Sequence, residues 1–534
     1  MNLAISVDQA CLRHLRTTNP RHDKNRIERD KGGLLKDAYG WILDNADFKR
    51  WRFEQQSQLL WIKGGPGKGK TMLLCGIINE LTNSAPDTAT VSFFFCQASD
   101  ARINHATAVL RGLIFMLVDQ QPSLIPHIRR QYDKTGKQVF EDVNAWEALS
   151  EILTSILEDP LLRTTYLVID ALDECTTDRN RLLELVTQKS SAYPRVKWIV
   201  SSRNWPAIEE TLDAATQKTK LWLELNETSV AEAVASFIEH KVQKLTEKKN
   251  YNKEIRDAVS QHLLSNAHGT FLWVALVCEN LADVPKRDVR KKLEEFPFGL
   301  DELYKQMLSQ IDESDNAELC KSLLGVTITV CRPITLDEMA SFVDIPKELT
   351  DDIALAEIMG HCGSFLTLRG RTISLVHQSA KDFLLREAGH EIFPNGVEKI
   401  HHSIFSKSLQ VIARILHRDI YGLVAPGYPI DQVVPPNPDP LAATRYACIY
   451  WVYHLNECFP SKNANKDLQE NGSVGMFLRQ DYLHWLEALS LSRSFSDGVA
   501  SMLRLESLLK VCFHKCDHWM FEPDCFRQQR RTRS

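Results

Sequence analysis

A glycine-rich segment in the first fifth of the chain carries the residue types that bind phosphate groups. It matches the pattern G-x-x-x-x-G-K-[ST] over Gly64, Gly65, Pro66, Gly67, Lys68, Gly69, Lys70 and Thr71. The glycines let backbone N–H groups curl around phosphates, Lys70 would reach the β and γ phosphates, and the Thr71 hydroxyl would coordinate Mg²⁺. The helix that opens at Met72 points its positive end at the same anion. The segment predicts a site for a nucleoside triphosphate, ATP or GTP, with Mg²⁺ as cofactor.

A second candidate group of residues lies about 100 residues later. The apolar run 166–169 ends in Asp170, which we expect to hold Mg²⁺ through its water shell. Ala171 stands where many ATPases have a glutamate, and the acids come later, at Asp173 and Glu174. Either of these acids could orient or deprotonate the attacking water. Both therefore stay candidate catalytic residues.

A third candidate residue is Arg203, which follows the apolar run 198–200 and two serines. In a P-loop fold the strand next to the Asp-bearing strand carries a residue that senses the γ-phosphate. A guanidinium suits that task because it recognises phosphate in a two-pronged fashion. The alternative is an arginine at the surface with no catalytic role.

Between residues 57 and 203, short apolar runs alternate with helical patterns. The runs 59–62, 91–96, 166–169 and 198–200 predict strands, and helices are predicted between them. Continuous apolar strands separated by helices are typical of a parallel sheet covered on both faces. The predicted fold class is an α/β P-loop NTPase core, a parallel sheet covered by helices, followed by helical and winged-helix domains.

The same patterns divide the whole chain. The predicted ranges are 1–56 for an N-terminal helical linker, 57–215 for the P-loop core, 216–320 for a helical domain, 321–395 for a winged-helix domain, 396–510 for a second helical region with a proline-rich linker at 426–440, and 511–534 for a disordered tail. The tail contains Cys512, His514, Cys516, His518 and Cys525, but their spacing differs from that of common zinc modules.

Composition narrows the class of protein. A net charge of −5 over 534 residues argues against a general binder of nucleic acid or membrane surfaces. No apolar run reaches the roughly 18 residues that span a bilayer, and the N-terminus has no secretory signal pattern. The 13 cysteines are dispersed, which fits reduced thiols. We therefore expect a cytoplasmic protein with neither a membrane span nor a nucleic-acid partner.

Several short segments together resemble a known family. The chain is similar to the NACHT-type signal-transducing NTPases of the STAND class, specifically the fungal heterokaryon-incompatibility-like group, which are relatives of NOD-like receptors. The most diagnostic feature is the displacement of the acids to Asp173 and Glu174 after Ala171. The segments that carry the resemblance are 23–24, 31–35, 61–73, 93–97, 169–175, 269–274, 376–384 and 482–487.

The resemblance implies a mechanism. A closed diphosphate form would open on nucleotide exchange, self-associate or join relatives that carry effector domains, and reset by slow hydrolysis. A winged-helix histidine of the family touches the β-phosphate, and His377 is the matching residue; the alternative is a histidine packed at a strand end. The expected context is fungal non-self recognition or programmed cell death.

Family members usually carry an effector domain before this region and repeats after it, and we expect this chain to lack both. A truncated nucleotide-binding scaffold that modulates full-length relatives is therefore the alternative function. A metabolic kinase is disfavoured because no acceptor-binding lid is recognisable.

Overall fold

The structure is a computed structural model that describes residues 2–84, 88–214, 218–344, 358, 362, 365–423, 428–459, 461–469 and 471–520. The chain forms two compact units, Met1–Met307 and Leu308–Ser534. Each unit has its own buried core, and each is described separately below.

The first unit contains a five-stranded sheet and the helices around it. Its strands are β1 (Leu59–Lys63), β2 (Ala89–Phe95), β3 (Thr164–Asp170), β4 (Val196–Ser202) and β5 (Lys218–Trp222). Its helices are α1 (Asn2–Leu15), α2 (Pro20–Asp30), α3 (Lys36–Tyr39), α4 (Trp41–Asp44), α5 (Ala46–Phe53), α6 (Lys70–Ser84), α7 (Ala106–Gln120), α8 (Ile125–Thr135), α9 (Ala145–Leu157), α10 (Arg179–Ser190), α11 (Pro206–Asp213), α12 (Glu227–Lys249), α13 (Lys253–Asn266), α14 (Phe271–Asp283), α15 (Val289–Glu295) and α16 (Leu300–Asp312), the last of which crosses into the second unit.

The sheet has the strand order β2-β3-β4-β1-β5, and all of its pairings are parallel. Every residue of β1 is buried, and Trp61 and Trp198 lie fully buried on neighbouring strands in the middle of the sheet. Strands buried on both faces must be apolar throughout, which is why their runs stand out in the sequence. The predicted parallel sheet covered by helices is confirmed.

The edge strand β5 is absent from the sequence prediction. Its residues alternate between half-buried lysines or Trp222 and buried Thr219 or Leu221, so no continuous apolar run marks it. It pairs with β1 from Leu59↔Lys218 to Lys63↔Trp222. The core sheet therefore extends past the predicted limit of residue 215.

The N-terminal helices pack on this core. Trp51 and Phe48 of α5 are buried, and Lys197 of β4 donates to the carbonyls of Trp51, Glu54 and Ser57. Tyr39 packs over Gly76 of α6, where a Cβ would clash with its ring. The range 1–56, predicted as a helical linker, therefore contributes to the core of the first unit.

The second unit combines helices with a small antiparallel sheet in the order β6-β8-β7. Its strands are β6 (Ile334–Thr335), β7 (Leu366–Arg369) and β8 (Thr372–Leu375). Its helices are α17 (Ala317–Thr329), α18 (Leu336–Phe342), α19 (Gln378–Arg386), α20 (Gly389–Ile392), α21 (Val397–Ile415), α22 (Arg445–Glu457), α23 (Lys462–Asp467), α24 (Ser473–Gln480), α25 (Tyr482–Leu491) and α26 (Phe495–Met520).

Helix α26 continues to Met520 and so includes the first part of the predicted disordered tail, whereas 521–534 lie outside the described residues. Within 428–440, part of the predicted proline-rich linker, the described chain has one short 3₁₀ turn at Ile430–Gln432 and no α-helix. None of the helices in the described ranges is long and apolar enough to cross a membrane.

Candidate nucleotide site

The predicted phosphate loop joins the end of β1 to the start of α6. Gly67 and Gly69 adopt φ values of 73° and 83°, in the left-handed region that favours glycine. A Cβ on Gly67 would lie 2.9 Å from Thr270 Cγ2, and one on Gly69 would lie 2.9 Å from the Phe271 ring. Both conformation and space therefore require glycine at these two positions of the motif.

Lys70 lies inside the curve of this loop. Its Nζ donates to the carbonyls of Gly64 at 2.7 Å and Gly65 at 2.9 Å. Burial lowers the pKa of Lys70, and the negative charges of Asp173 and Asp170 oppose that shift. The loop thus holds the Lys70 amino group against two of its own carbonyl groups.

Asp170 and Thr71 are in contact at the carboxyl end of β3. Burial raises the pKa of Asp170, and hydrogen bonds from Ser201 and Thr71 and the charge of Lys70 oppose the rise. Ser201 Oγ on β4 donates to Asp170 Oδ1 at 2.6 Å. A hydroxyl and a carboxylate are the oxygen ligands that Mg²⁺ prefers, with waters and phosphate oxygens completing its shell. Thr71 and Asp170 therefore fit the predicted Mg²⁺ site.

The acids after Ala171 lie on a tight turn. Ala171 adopts φ 52° and ψ 51°, a left-handed conformation that starts the 3₁₀ turn Leu172–Glu174. Asp173 is 3% exposed and is held by Arg203 through both carboxylate oxygens. Its Oδ2 lies 3.1 Å from Arg203 Nε, and its Oδ1 accepts from Arg203 N at 3.1 Å. The fold therefore brings two separately predicted residues into one ion pair.

Glu174 points toward the end of β2 instead. Its Oε2 accepts the backbone N–H of Ala98 at 3.0 Å. Burial, and secondly the charge of Asp173, raise the pKa of Glu174 to about 7. This carboxyl group is therefore partly protonated near neutral pH.

Some residues that contact the loop were not predicted as site residues. Glu224 Oε1 accepts from Gly65 N at 2.6 Å, and Lys68 Nζ donates to the His268 carbonyl at 2.7 Å. The start of α14, at Thr270 and Phe271, packs against the loop glycines. The segment 269–274 is visible in the sequence as a family segment, but its contact with the loop is not. Glu224 follows β5 and has no local signal.

His377 lies in the second unit, at the end of the strand β8 and the start of α19. It is the N-cap of that helix, and its Nδ1 accepts from Ser379 N at 3.1 Å. The imidazole thus has a local structural role. Within the described residues, no cluster of three or more His, Cys, Asp or Glu side chains could hold a metal ion. The cysteines and histidines considered for zinc at 512–525 have side chains that the structure does not describe.

The phosphate loop after β1, the Asp170–Thr71 contact and the acids that follow β3 together define a P-loop NTPase. A sequence-family model described as "Nephrocystin 3, N-terminal" matches residues 37–203, which span this site. The chain is 54% identical over 522 residues to "Vegetative incompatibility protein HET-E-1" of Podospora anserina, covering 95% of this chain and 38% of that protein. The chain belongs to the fungal NACHT-type P-loop NTPases of the heterokaryon-incompatibility group.

The chain also has weak similarity to two solved structures. The Walker-type ATPase PABY2304 of Pyrococcus abyssi is 12% identical, with a TM-score of 0.33, over 66% of this chain and 96% of its own. Cdc6p of Pyrobaculum aerophilum is 14% identical, with a TM-score of 0.33, over 68% of this chain and 97% of its own.

Proposed function

We propose that this chain is a nucleotide-dependent switch that binds ATP or GTP with Mg²⁺, hydrolyses it slowly and self-associates in the triphosphate state. Lys70 and the loop N–H groups bind the phosphates. Thr71 and Asp170 hold Mg²⁺, which when bound would neutralise charge on the phosphate oxygens. The proposed partners are further copies of this chain or relatives that carry effector domains.

The observation that carries the proposal is that neither candidate base is a free and fully deprotonated carboxylate. A general base needs a free, deprotonated carboxylate within reach of the attacking water. Both oxygens of Asp173 are held by Arg203, and the pKa of Glu174 is raised to about 7 by burial. Hydrolysis would have to wait until Asp173 leaves Arg203, which makes it slow, as a switch requires.

Arg203 is the proposed γ-phosphate sensor. A guanidinium that pairs with a carboxylate can exchange that partner for a phosphate, because both anions offer paired oxygens. Exchange would release Asp173 to act on water only when a triphosphate is present. The close Arg203–Asp173 pair supports this assignment over that of a surface arginine, since Arg203 is only 14% exposed.

His377 is the proposed contact with the β-phosphate of a bound diphosphate. Its Nδ1 already accepts the capping N–H of Ser379. We propose that residues 321–395 form the winged-helix domain of the family. The helices α17, α18 and α19 around the antiparallel sheet β6-β8-β7 support that proposal.

The proposed setting is non-self recognition or programmed cell death in the cytoplasm. The relative's name, a vegetative incompatibility protein, supports this setting. The chain spans 38% of that relative's length, so the relative's whole activity is carried over only as a proposal.

The test is nucleotide-dependent assembly. The bound nucleotide is first identified by mass after purification, and molar mass is then measured by light scattering with a diphosphate or a non-hydrolysable triphosphate. We expect larger assemblies with the triphosphate only. Lys70→Ala should lower nucleotide affinity at least ~100-fold and abolish assembly, because it removes a charge-assisted contact to phosphate.

Lys49→Ala is the matched control, since Lys49 is an exposed lysine of α5 that pairs with Asp44. Nucleotide binding without assembly would favour the scaffold function instead. Unchanged binding in Lys70→Ala would refute the proposed site.

A further inference from the structure

A carboxylate that belongs to neither the P-loop nor the acids after β3 lies directly on the loop. Glu224 is in the 3₁₀ turn that follows β5, and Leu223 N donates to the Lys63 carbonyl at 3.0 Å beside it. Glu224 Oε1 accepts from Gly65 N at 2.6 Å and from Asn204 Nδ2 at 3.4 Å. The chain segments after β1, β4 and β5 therefore converge on one carboxylate.

The two oxygens of Glu224 are unequally satisfied. Oε1 has the short bond from the loop, whereas Oε2 is buried and has no hydrogen-bond partner among the described residues. A buried carboxylate oxygen without a donor is costly, so this contact is weaker than a fully bonded one. Such a contact can be replaced by another anion that brings more oxygens to the same donors.

Glu224 is also within electrostatic reach of both loop lysines. Its charge opposes the burial that lowers the pKa of Lys68 and that of Lys70. The loop thus already holds one anion of its own in the region where its cations and N–H groups receive phosphate.

We propose that the Glu224 carboxylate stands in for the terminal phosphate of a triphosphate and makes this site select diphosphate until Glu224 is displaced. The inference rests on the proposed nucleotide-binding function and assigns its specificity to one residue. The Glu224 carboxylate and the terminal phosphate of a triphosphate would repel each other at the same end of the loop. A diphosphate lacks that terminal phosphate and so avoids the repulsion.

The position of Glu224 links this selection to the chain that follows. Helix α12 begins at Glu227, directly after the turn that carries Glu224. Displacing the carboxylate therefore acts on the start of a 23-residue helix of the same unit. Through this turn, binding of a terminal phosphate at the loop would affect the start of α12.

The test is the ratio of diphosphate to triphosphate affinity, measured by calorimetry with ADP, GDP and their non-hydrolysable triphosphate counterparts. Glu224→Gln keeps the shape of the side chain and removes its charge. We expect the preference of this variant for triphosphate over diphosphate to be ~10-fold higher than that of the unmodified chain. The reason is that the substitution removes one negative charge that repels the terminal phosphate. Asn204→Ala should shift the ratio the same way by less.

Glu232→Gln is the matched control, because Glu232 is an exposed acid on α12 and the same charge is removed. Thermal unfolding of each variant verifies folding, and Glu224→Ala replaces Glu224→Gln if the latter does not fold. An unchanged ratio in the Glu224 variants, with nucleotide still bound, overturns this inference alone. Absence of binding in the unmodified chain overturns the proposed function and this inference with it.

Discussion

The two units bury polar side chains in different ways. In the first unit, Asp170, Asp173 and Glu174 lie at or just after the end of a parallel strand and accept bonds from a serine, an arginine and a backbone N–H. In the second unit, Arg332 donates to both oxygens of Glu338 at 3.0 and 2.7 Å. Glu338 also accepts from the backbone N–H groups of Thr335 and Tyr446.

A second buried network in the same unit links side chains of two helices. Tyr446 Oη lies 2.7 Å from His454 Nε2 and accepts from Cys331 N at 2.9 Å. His454 Nδ1 lies 2.9 Å from His401 Nδ1. These groups bind each other and tie α21 to α22, so they specify packing. The polar groups of the first unit lie around the glycine-rich loop. An anion bound there could replace their present hydrogen-bond partners.

The largest expected effect is on the Arg332–Glu338 pair of the second unit. Glu338 is 1% exposed, so Glu338→Ala leaves Arg332 buried without its partner. We expect a loss of about 3–5 kcal/mol in the free energy of unfolding, measured by urea denaturation. Glu318→Ala, an exposed acid in the first turn of α17, is the control. Equal losses in the two variants would contradict the stabilising role of the Arg332–Glu338 pair.

The next effect is on hydrolysis in the first unit. Asp173→Asn should bind nucleotide with similar affinity but hydrolyse it ~100-fold more slowly, because the amide cannot accept a proton from water. Single-turnover hydrolysis of labelled ATP or GTP measures the rate. Asp178→Asn, in the exposed loop nearby, is the control. Full-rate hydrolysis by Asp173→Asn would instead assign the base to Glu174.

The smallest effect is a pH dependence of opposite sign at two sets of buried groups, the His401–His454 pair and Glu174. Burial lowers the pKa of His401 and holds the pKa of His454 well below 6.5. The unfolded chain then binds more protons, so these residues make stability fall as pH falls below about 6.5. Burial raises the pKa of Glu174 from 4.5 to about 7, so the folded chain keeps this proton and stability falls as pH rises across that window.

Each slope is at most ~1.4 kcal/mol per pH unit for one proton. Denaturation between pH 5 and 7 checks the signs. His454→Gln should reduce the loss of stability on acidification, and Glu174→Gln should reduce the loss on raising the pH. Slopes that both variants leave unchanged would mean that neither group titrates in the folded chain.

Much of the nucleotide site could be read from the sequence because its parts are contiguous. The loop motif and the strand that ends in Asp170 each lie within about ten residues, and backbone geometry in such a short span follows from residue type. Four of the five strands of the core sheet contain a run of at least three consecutive apolar residues and were predicted for that reason. The fifth strand, β5, lies at the edge of the sheet and has half-buried polar residues between its buried ones, so no apolar run marks it in the sequence.

By itself, the sequence determined the phosphate loop, the parallel sheet and the family, because these depend on local spacing and on burial of continuous apolar runs. Only the tertiary structure decided that Arg203 pairs with Asp173, that Glu224 lies on Gly65, and that Thr270 and Phe271 pack on the loop glycines. The Arg203–Asp173 and Glu224–Gly65 contacts join residues 30 and 159 positions apart. No local preference encodes such pairs, because they form only when separate strand ends meet at one edge of the folded sheet.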